Sequence, residues 1–466
     1  MYYPEEVIEE VRMRSDIVDV ISGYVKLQKK GSNLFGLCPF HHEKSPSFSV
    51  SPSKQMYHCF GCGVSGNVIT FVMEYENYSF REAVEMLADR SGVKLPKMEY
   101  SKEAKAKADR KAALLEINKL AANYFYYQLK QPQGKIGYDY LVKRKLTDET
   151  IRRFGLGFSN KISDDLYRYL KSKGYEDELL KDTGLVTIEE RGARDKFWNR
   201  VMFPIMDVNS RVIGFGGRVL GDGEPKYLNS PETMLFDKSR NLYGLNYART
   251  SRKKYMMLCE GYMDVISMHQ AGYTNAVASL GTALTEQHAA LLKRYTDQVI
   301  LTYDSDGAGV KAALRAIPIL KRAGISTKVL NMRPYKDPDE FMKNLGAEEF
   351  EKRIETARNS FLYEIDVLKA GFDMEDPEQK TAFYNQTARK LLEFGEALER
   401  DNYIQAVSRE YFINYEDLRR LVNQLGSRYG VGEVGGSVGS TGAVAENRGA
   451  GNAEFPGNAG PAVRPV

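Results

Sequence analysis

Two groups of residues in this 466-residue chain have the types and spacing to do chemistry. Cys38 and His41 form a C-x2-H turn, and Cys59 and Cys62 form a C-x2-C turn, with the 17 residues 42–58 between them. Each turn can point two donors inward, and thiolates with an imidazole suit a tetrahedral zinc. With four protein donors the site would be closed and structural and would activate no water. His42 is the competing donor, although the two-residue spacing of the second turn favours His41 by symmetry. His58 precedes Cys59 in an expected strand and should face the other way. Lys29, Lys30, Lys44 and Lys54, with Phe35, Phe40, Phe48, Tyr57 and Phe60, could hold phosphates and stack bases. A module this small also needs several of those rings as its core.

The second group is acidic. Glu260 ends an expected strand "YMMLC", and Asp304 and Asp306 end another, "QVILTY". Asp337 and Asp339 follow a later one, "STKVLNM". If these strands are parallel, their carboxyl ends line one crevice and the five acids converge there. Carboxylates without His or Cys partners suit hard ions, Mg²⁺ or Mn²⁺, which activate a hydroxyl and stabilise a phosphoryl transition state. That chemistry serves polynucleotide synthesis or cleavage. The competing reading makes Asp304 and Asp306 helix caps beside turn glycines. Asp264 reads as a cap or supporting group, and Cys259 as a buried thiol. Between the groups, "GFGGRVLGDGEPKYLNSPETMLFDKSRNLYGL" carries Arg218, Lys226, Lys238 and Arg240 among glycines that would let backbone approach a phosphate. It fits neither a Rossmann nor a P-loop fingerprint.

The elements that must position these groups divide the chain. Residues 1–96 read as a zinc-binding module and 97–111 as a linker. Residues 112–250 read as a mixed α+β region containing the paired strands "RVMFPIMD" and "RVIGFGGRV". Over 251–346 strands alternate with helices, which implies a parallel sheet with helices on both faces. Residues 347–425 have helical periodicity throughout, and 426–466 are glycine-rich and expected to be disordered. The fold class is therefore multidomain α+β. A formal net charge of +4 decides nothing about partners, so nucleic-acid arguments rest on local clusters. There is no apolar run of membrane-spanning length, and "MYYPEEVIEEVRMRSD" is unlike a secretion signal. Four cysteines make no disulfide framework, so a reducing, cytoplasmic setting is expected.

Together, several segments resemble the bacterial DNA primases of the DnaG type. "CPFHHEKSPSF" with "YHCFGCGVSGNVITFVM" is similar to the family's zinc-binding domain. "RVMFPI", "SRVIGFGGRVL", "PKYLNSPET" and "LYGL" resemble its polymerase core, and "EGYMDVI", "ASLGTALT", "DSDGAG" and "DPDEF" its Toprim fold. The resemblance covers residues 1 to about 425. It implies a nucleotidyltransferase making short RNA primers de novo on single-stranded DNA. It further implies zinc on Cys38, His41, Cys59 and Cys62, and Mg²⁺ or Mn²⁺ on Glu260, Asp304, Asp306, Asp337 and Asp339. Glu260, Asp304 and Asp306 would be the catalytic acids; Arg144, Arg218, Lys226 and Lys238 would guide template, primer or nucleotide.

Implied partners are single-stranded DNA template, ribonucleoside triphosphates, the RNA primer, a single-strand-binding protein and the replicative helicase, with a monomer acting at the nucleoid. The family's helicase-docking domain is not recognised in the sequence, so its absence is expected. In the family's "YLxxRGL" motif this chain reads "YLVKRKL", with Lys145 in place of glycine, which puts the local turn in question. The alternatives are a Toprim nuclease or topoisomerase-like enzyme using the same acids, and a non-catalytic zinc-ribbon protein that binds single-stranded DNA.

Overall fold

A computed structural model describes residues 3–41, 43, 45–76, 78–95, 102–190 and 192–429. His42, Lys44, residues 97–101 of the expected linker and residues 430–466 of the expected tail lie outside the described residues. The described residues fall into two compact units, those within Met1–Glu364 and those within Ile365–Val466.

In the first unit, helices Glu5–Arg14 and Ile17–Ser22 lead into an antiparallel meander. Strands Gln28–Lys30, Asn33–Gly36, Phe48–Ser51, Met56–Cys59 and Ser65–Gly66 pair in chain order. Period-two alternation buries Tyr57 and Cys59 and exposes Met56 and His58, so His58 does face away from the cysteine. Phe48, Val50 and Tyr57 pack with Phe71, Leu87 and Val11 from flanking helices. Helix Phe80–Ser91 is fixed at both ends, by a Ser79/Glu82 capping box and by left-handed Gly92.

Helix Lys102–Leu129 begins ten residues before the amphipathic pattern does. Its first turns, KEAKAKADRK, lie within the segment expected as a linker. Ala, Lys and Glu propagate a helix once the apolar part nucleates it, even without an apolar face of their own. The helix lies against an antiparallel sheet of strands Tyr227–Asn229, Val212–Val219, Arg200–Met206 and Gly157–Ser159, in that order. The central pair is the hairpin expected from sequence. The two outer strands, and the separate hairpin of Val186–Glu189 with Gly192–Asp195, are too short to leave a periodic signal.

The parallel sheet has the order Ala276–Ala278, Met256–Cys259, Gln298–Leu301, Ser326–Val329, with antiparallel Arg358–Asn359 at the edge. Alternate strand residues enter different cores. Met257, Cys259 and Ile300 pack with Val265 and Ile266 of helix Tyr262–Gln270 and with Phe341 and Phe350. Met256, Leu258 and Val299 pack with Leu292, Ala316 and Leu320 of helices Glu286–Lys293 and Gly307–Arg322. Helices therefore cover both faces. The edge strand falls inside 347–425, where helix alone was expected; two residues carry no period, and only pairing with Lys328 and Val329 defines them. Helix Pro338–Glu355 also breaks at left-handed Gly346.

The two sheets meet at Gly216. A Cβ there would lie 2.6 Å from the Tyr262 ring, which stacks on Phe203 at 5.1 Å and donates to Asn229 Oδ1 at 2.6 Å. Gly216 belongs to the glycine-rich segment read as letting backbone approach a phosphate, and here it admits a tyrosine from the neighbouring sheet's helix.

The second unit is helical, with Pro377–Leu391, Ala397–Tyr411 and Tyr415–Tyr429 burying Phe383, Leu391, Ile404, Val407 and Val422. The last helix carries residues 426–429, where the glycine-rich tail was expected to begin. Arg400 is buried and donates to the carbonyls of Phe394 and Gly395.

Lys145 takes φ +61°, the left-handed conformation that glycine adopts freely. The turn survives because Gln270 brackets it, donating to Lys145 O and accepting from Thr147 N, each at 2.9 Å. Lys145→Val should therefore lower stability by about 1–2 kcal/mol, the usual penalty for a bulky side chain in this region, while Lys145→Gly should cost nothing. Thermal unfolding midpoints of the two variants check this. Gly216→Ala should cost about 1–3 kcal/mol by overpacking against Tyr262, read as a lower denaturant midpoint at unchanged slope.

Candidate metal centres and nucleic-acid interface

The donor atoms of Cys38, His41, Cys59 and Cys62 all lie within 4.8 Å of one another. Cys38 Sγ is 3.8 Å from Cys62 Sγ, and His41 Nδ1 is 3.7 Å from Cys59 Sγ. With Zn–S bonds of about 2.3 Å a tetrahedron has an edge of about 3.8 Å, so the spacings fit zinc. The chemistry of the donors also fits. Burial pushes the Cys38 thiol up to about 12, so a cation is needed to hold it as thiolate.

Glu43, which the sequence reading passed over, organises the first turn. It accepts from Cys38 N at 2.7 Å and from Ser47 N at 3.1 Å, and lies 3.3 Å from His41 Nε2. Burial raises its pKa, but the Ser47 hydroxyl and the two backbone donors outweigh this and hold the carboxyl below its usual range. A carboxylate on the second ring nitrogen fixes the imidazole so that Nδ1 faces the thiolates. The only hint in the sequence was an acid two residues after a ligand. Of the five aromatics beside the site, Phe48 and Tyr57 are core, and Phe40 packs against both. Phe60, 70 % exposed between Cys59 and Cys62, and Phe35, under Lys30 Nζ at 5.7 Å, remain available.

At the carboxyl edge of the parallel sheet, Glu260 Oε1 accepts from Asp304 N at 3.0 Å. Gly309 makes this corner possible: a Cβ would lie 2.0 Å from Asp304 O, so only glycine lets the helix start against that backbone. Asp306 does cap a helix, as the competing reading held, accepting from Ala308 N and Gly309 N; Asp337, which that reading did not include, caps another, accepting from Glu340 N. Capping leaves each carboxylate a second oxygen. Burial and the nearby Asp304 raise the Glu260 pKa; burial and Asp337 raise that of Asp304. Asp306 is lowered, by the Gly309 N–H above all. Asp264, capping Gly261 N at 3.0 Å, is raised well above the carboxylate range by burial and then by Asp337 and Asp304.

These shifts mark an edge with too much negative charge for its setting. Asp339 Oδ1 is buried with no hydrogen-bond partner, and a hard divalent ion meets both conditions. The acids are not drawn as tight as the zinc donors: among the described residues no second group of three or more metal-type donors is brought together.

Asp339 also ties this edge to the basic region. Its side chain, 3 % exposed, receives Lys343 Nζ at 2.6 Å and Arg144 Nη2 at 3.1 Å. Arg218 lies over the rings of Tyr140 at 5.8 Å and Tyr227 at 5.6 Å, and Arg144 N donates to Tyr140 O at 3.0 Å. Lys226 is exposed beside Tyr227; Lys238 is half-buried, and its carbonyl faces His288 Nε2 at 2.8 Å.

Four family models match the chain: the CHC2 zinc finger over residues 3–103, the N-terminal domain of the DNA primase catalytic core over 124–249, Toprim-like over 257–342, and the DnaB-helicase binding domain of primase over 363–411. The DNA primase of Clostridium acetobutylicum is 43 % identical over 422 residues, spanning 90 % of this chain and 70 % of that one.

The chain belongs to the bacterial DnaG-type DNA primases.

It is a DNA-directed RNA polymerase, a nucleotidyltransferase of replication. The Geobacillus stearothermophilus DNA primase is 38 % identical over 427 residues, with 90 % of this chain and 71 % of that one covered. Among solved structures, the zinc-binding and RNA polymerase domains of the Aquifex aeolicus primase match at TM-score 0.56 and 36 % identity, over 90 % of this chain and 99 % of that one. A DnaG primase catalytic domain bound to ssDNA matches at TM-score 0.57 and 35 % identity, over 65 % and 100 %. The nuclease and non-catalytic readings fall away. The expectation that the helicase-docking domain is absent is also corrected, by the match over 363–411. Helical periodicity reports a buried face and says nothing about what the exposed face binds. Among the described residues no helix is long and apolar enough to cross a membrane.

Cys59→Ala should release one zinc per chain in a chelator-coupled metal assay. Glu43→Gln should retain zinc but weaken its affinity about 10- to 100-fold, as loss of a partner to a ligating histidine usually does.

Proposed function

We propose that Glu260, Asp304 and Asp306 are the catalytic acids, with Asp337 and Asp339 completing a Mg²⁺ or Mn²⁺ site, and that Cys38, His41, Cys59 and Cys62 hold the structural zinc. The observation carrying this is the joint arrangement of acids and cations: carboxylates crowded at one sheet edge, with Arg144 paired to Asp339 at the end of helix Lys135–Lys143, which also carries the Tyr140 ring beneath Arg218. A divalent ion there would lower the cost of ionising a 3′-hydroxyl and neutralise charge on the α-phosphate it attacks. Glu260 and the Asp304 backbone hold one another in place, so the carboxylates keep their positions as a charged substrate arrives.

Arg144, Arg218, Lys226 and Lys238 are the proposed guides for template, primer and ribonucleoside triphosphate, in keeping with the phosphate affinity of Arg and Lys. Exposed Phe60 and Lys30 with Phe35 supply a stacking and phosphate-holding face on which the zinc module would grip single-stranded template. The solved relative bound to ssDNA supports that substrate. The product is a short RNA primer begun without an existing 3′ end. Residues 363–411 are the proposed contact to the replicative helicase, supported by their family match. A monomer working at the cytoplasmic replication fork beside single-strand-binding protein completes the reading.

Single-stranded DNA, ribonucleotides and Mg²⁺ or Mn²⁺ should give short RNA products with the wild-type chain. Asp304→Asn should lower that synthesis at least about a hundredfold, since several kcal/mol of charge stabilisation depend on the site. Zinc content and template binding should stay unchanged. Synthesis retained in Asp304→Asn would reduce the acids to caps.

A further inference from the structure

Lys336 lies in the loop between strand Ser326–Val329 and helix Pro338–Glu355. Its Nζ is 3.4 Å from Asp304 Oδ2 and 3.4 Å from Asp306 Oδ2. Backbone contacts fix its approach: Lys336 O accepts from Ser305 N at 2.7 Å, and Lys336 N donates to Glu340 Oε2 at 2.8 Å. Ser305 is the residue between the two acids, so the loop is pinned where it delivers an ammonium to both. Arg144 and Lys343 are engaged with Asp339, and among the described residues Lys336 is the one cation paired with Asp304 and Asp306. Its side chain is 58 % exposed and can swing out along a flexible stem.

We propose that Lys336 is an internal counter-ion of the Asp304/Asp306 pair, held there when no divalent ion is bound, displaced when one binds, and so setting the ion's affinity. The proposal rests on the reading of these acids as a divalent-cation site. One ammonium relieves part of the repulsion between carboxylates, which lets the edge assemble without an ion. An incoming divalent cation must break both ion pairs and leave the ammonium close by, so it binds more weakly than the bare acids would allow. Lys336 is a positioning residue, acting through the acids.

The test is direct Mn²⁺ binding, by electron paramagnetic resonance titration of the zinc-loaded full chain at low ionic strength. Lys336→Met keeps the stem and removes the charge, and should bind Mn²⁺ roughly three- to tenfold more tightly, with the gain shrinking as salt is added. Lys336→Arg should match wild type. Lys311→Met, which removes an exposed charge from helix Gly307–Arg322, should change little; an equal gain there would reduce the effect to net charge and overturn the proposal. Mn²⁺ affinity unchanged or weaker in Lys336→Met, with Asp304→Asn losing the ion, would also overturn it. If Asp304→Asn binds Mn²⁺ as wild type does, the underlying reading of the acids as the ion site fails instead.

Discussion

Negative charge gathered at the carboxyl edge of one parallel sheet is the constraint around which the first unit is built. Glu260, Asp264, Asp304, Asp306, Asp337 and Asp339 come from three strand ends, and burial with mutual repulsion raises the pKa of Glu260, Asp264 and Asp304. Bringing carboxylates together in a half-buried crevice is unfavourable unless each finds donors or cations. Two solutions are visible. Asp306 and Asp337 spend one oxygen on helix N-termini, where backbone N–H groups and the helix dipole favour an anion. Asp339 is paired twice, with Arg144 and Lys343.

The second solution has a structural consequence. Arg144 belongs to the region of the antiparallel sheet, so neutralising Asp339 binds that region to the parallel sheet. The Gly216–Tyr262 contact closes the same junction with apolar surface, and the Tyr262–Asn229 hydrogen bond fixes its register. The cations able to hold nucleic-acid phosphates and the acids able to hold a catalytic ion are thus kept in one rigid relation. Positioning of this kind supplies much of the rate in phosphoryl transfer.

The zinc module solves a smaller problem by similar means. Its sheet is short and its core modest, and four donors locked around one ion would supply the rigidity that burial cannot. Glu43 and Ser47 carry that order outward, with Ser47 Oγ 3.3 Å from Cys59 Sγ and Ser47 N on Glu43. Phe60 is thereby held exposed by two flanking donors instead of folding into the core.

Much of this was legible in the sequence. The spacing of Cys38, His41, Cys59 and Cys62 defines two turns, and alternating strands and helices require a parallel sheet whose carboxyl ends collect Glu260, Asp304, Asp306, Asp337 and Asp339. Local pattern suffices for these because each depends on residues a few positions apart or on a rule of chain topology. Glu43 on His41, Arg144 on Asp339 and Lys336 between two acids were not legible, nor were the two-residue edge strand and the tyrosine against Gly216. Each is a contact between side chains or backbones whose meeting depends on packing distances of a few ångströms, and no period or spacing records that. The sequence by itself determined which chemistries the chain carries; the tertiary structure decided which cation neutralises which acid, because that choice is made by distance and burial alone.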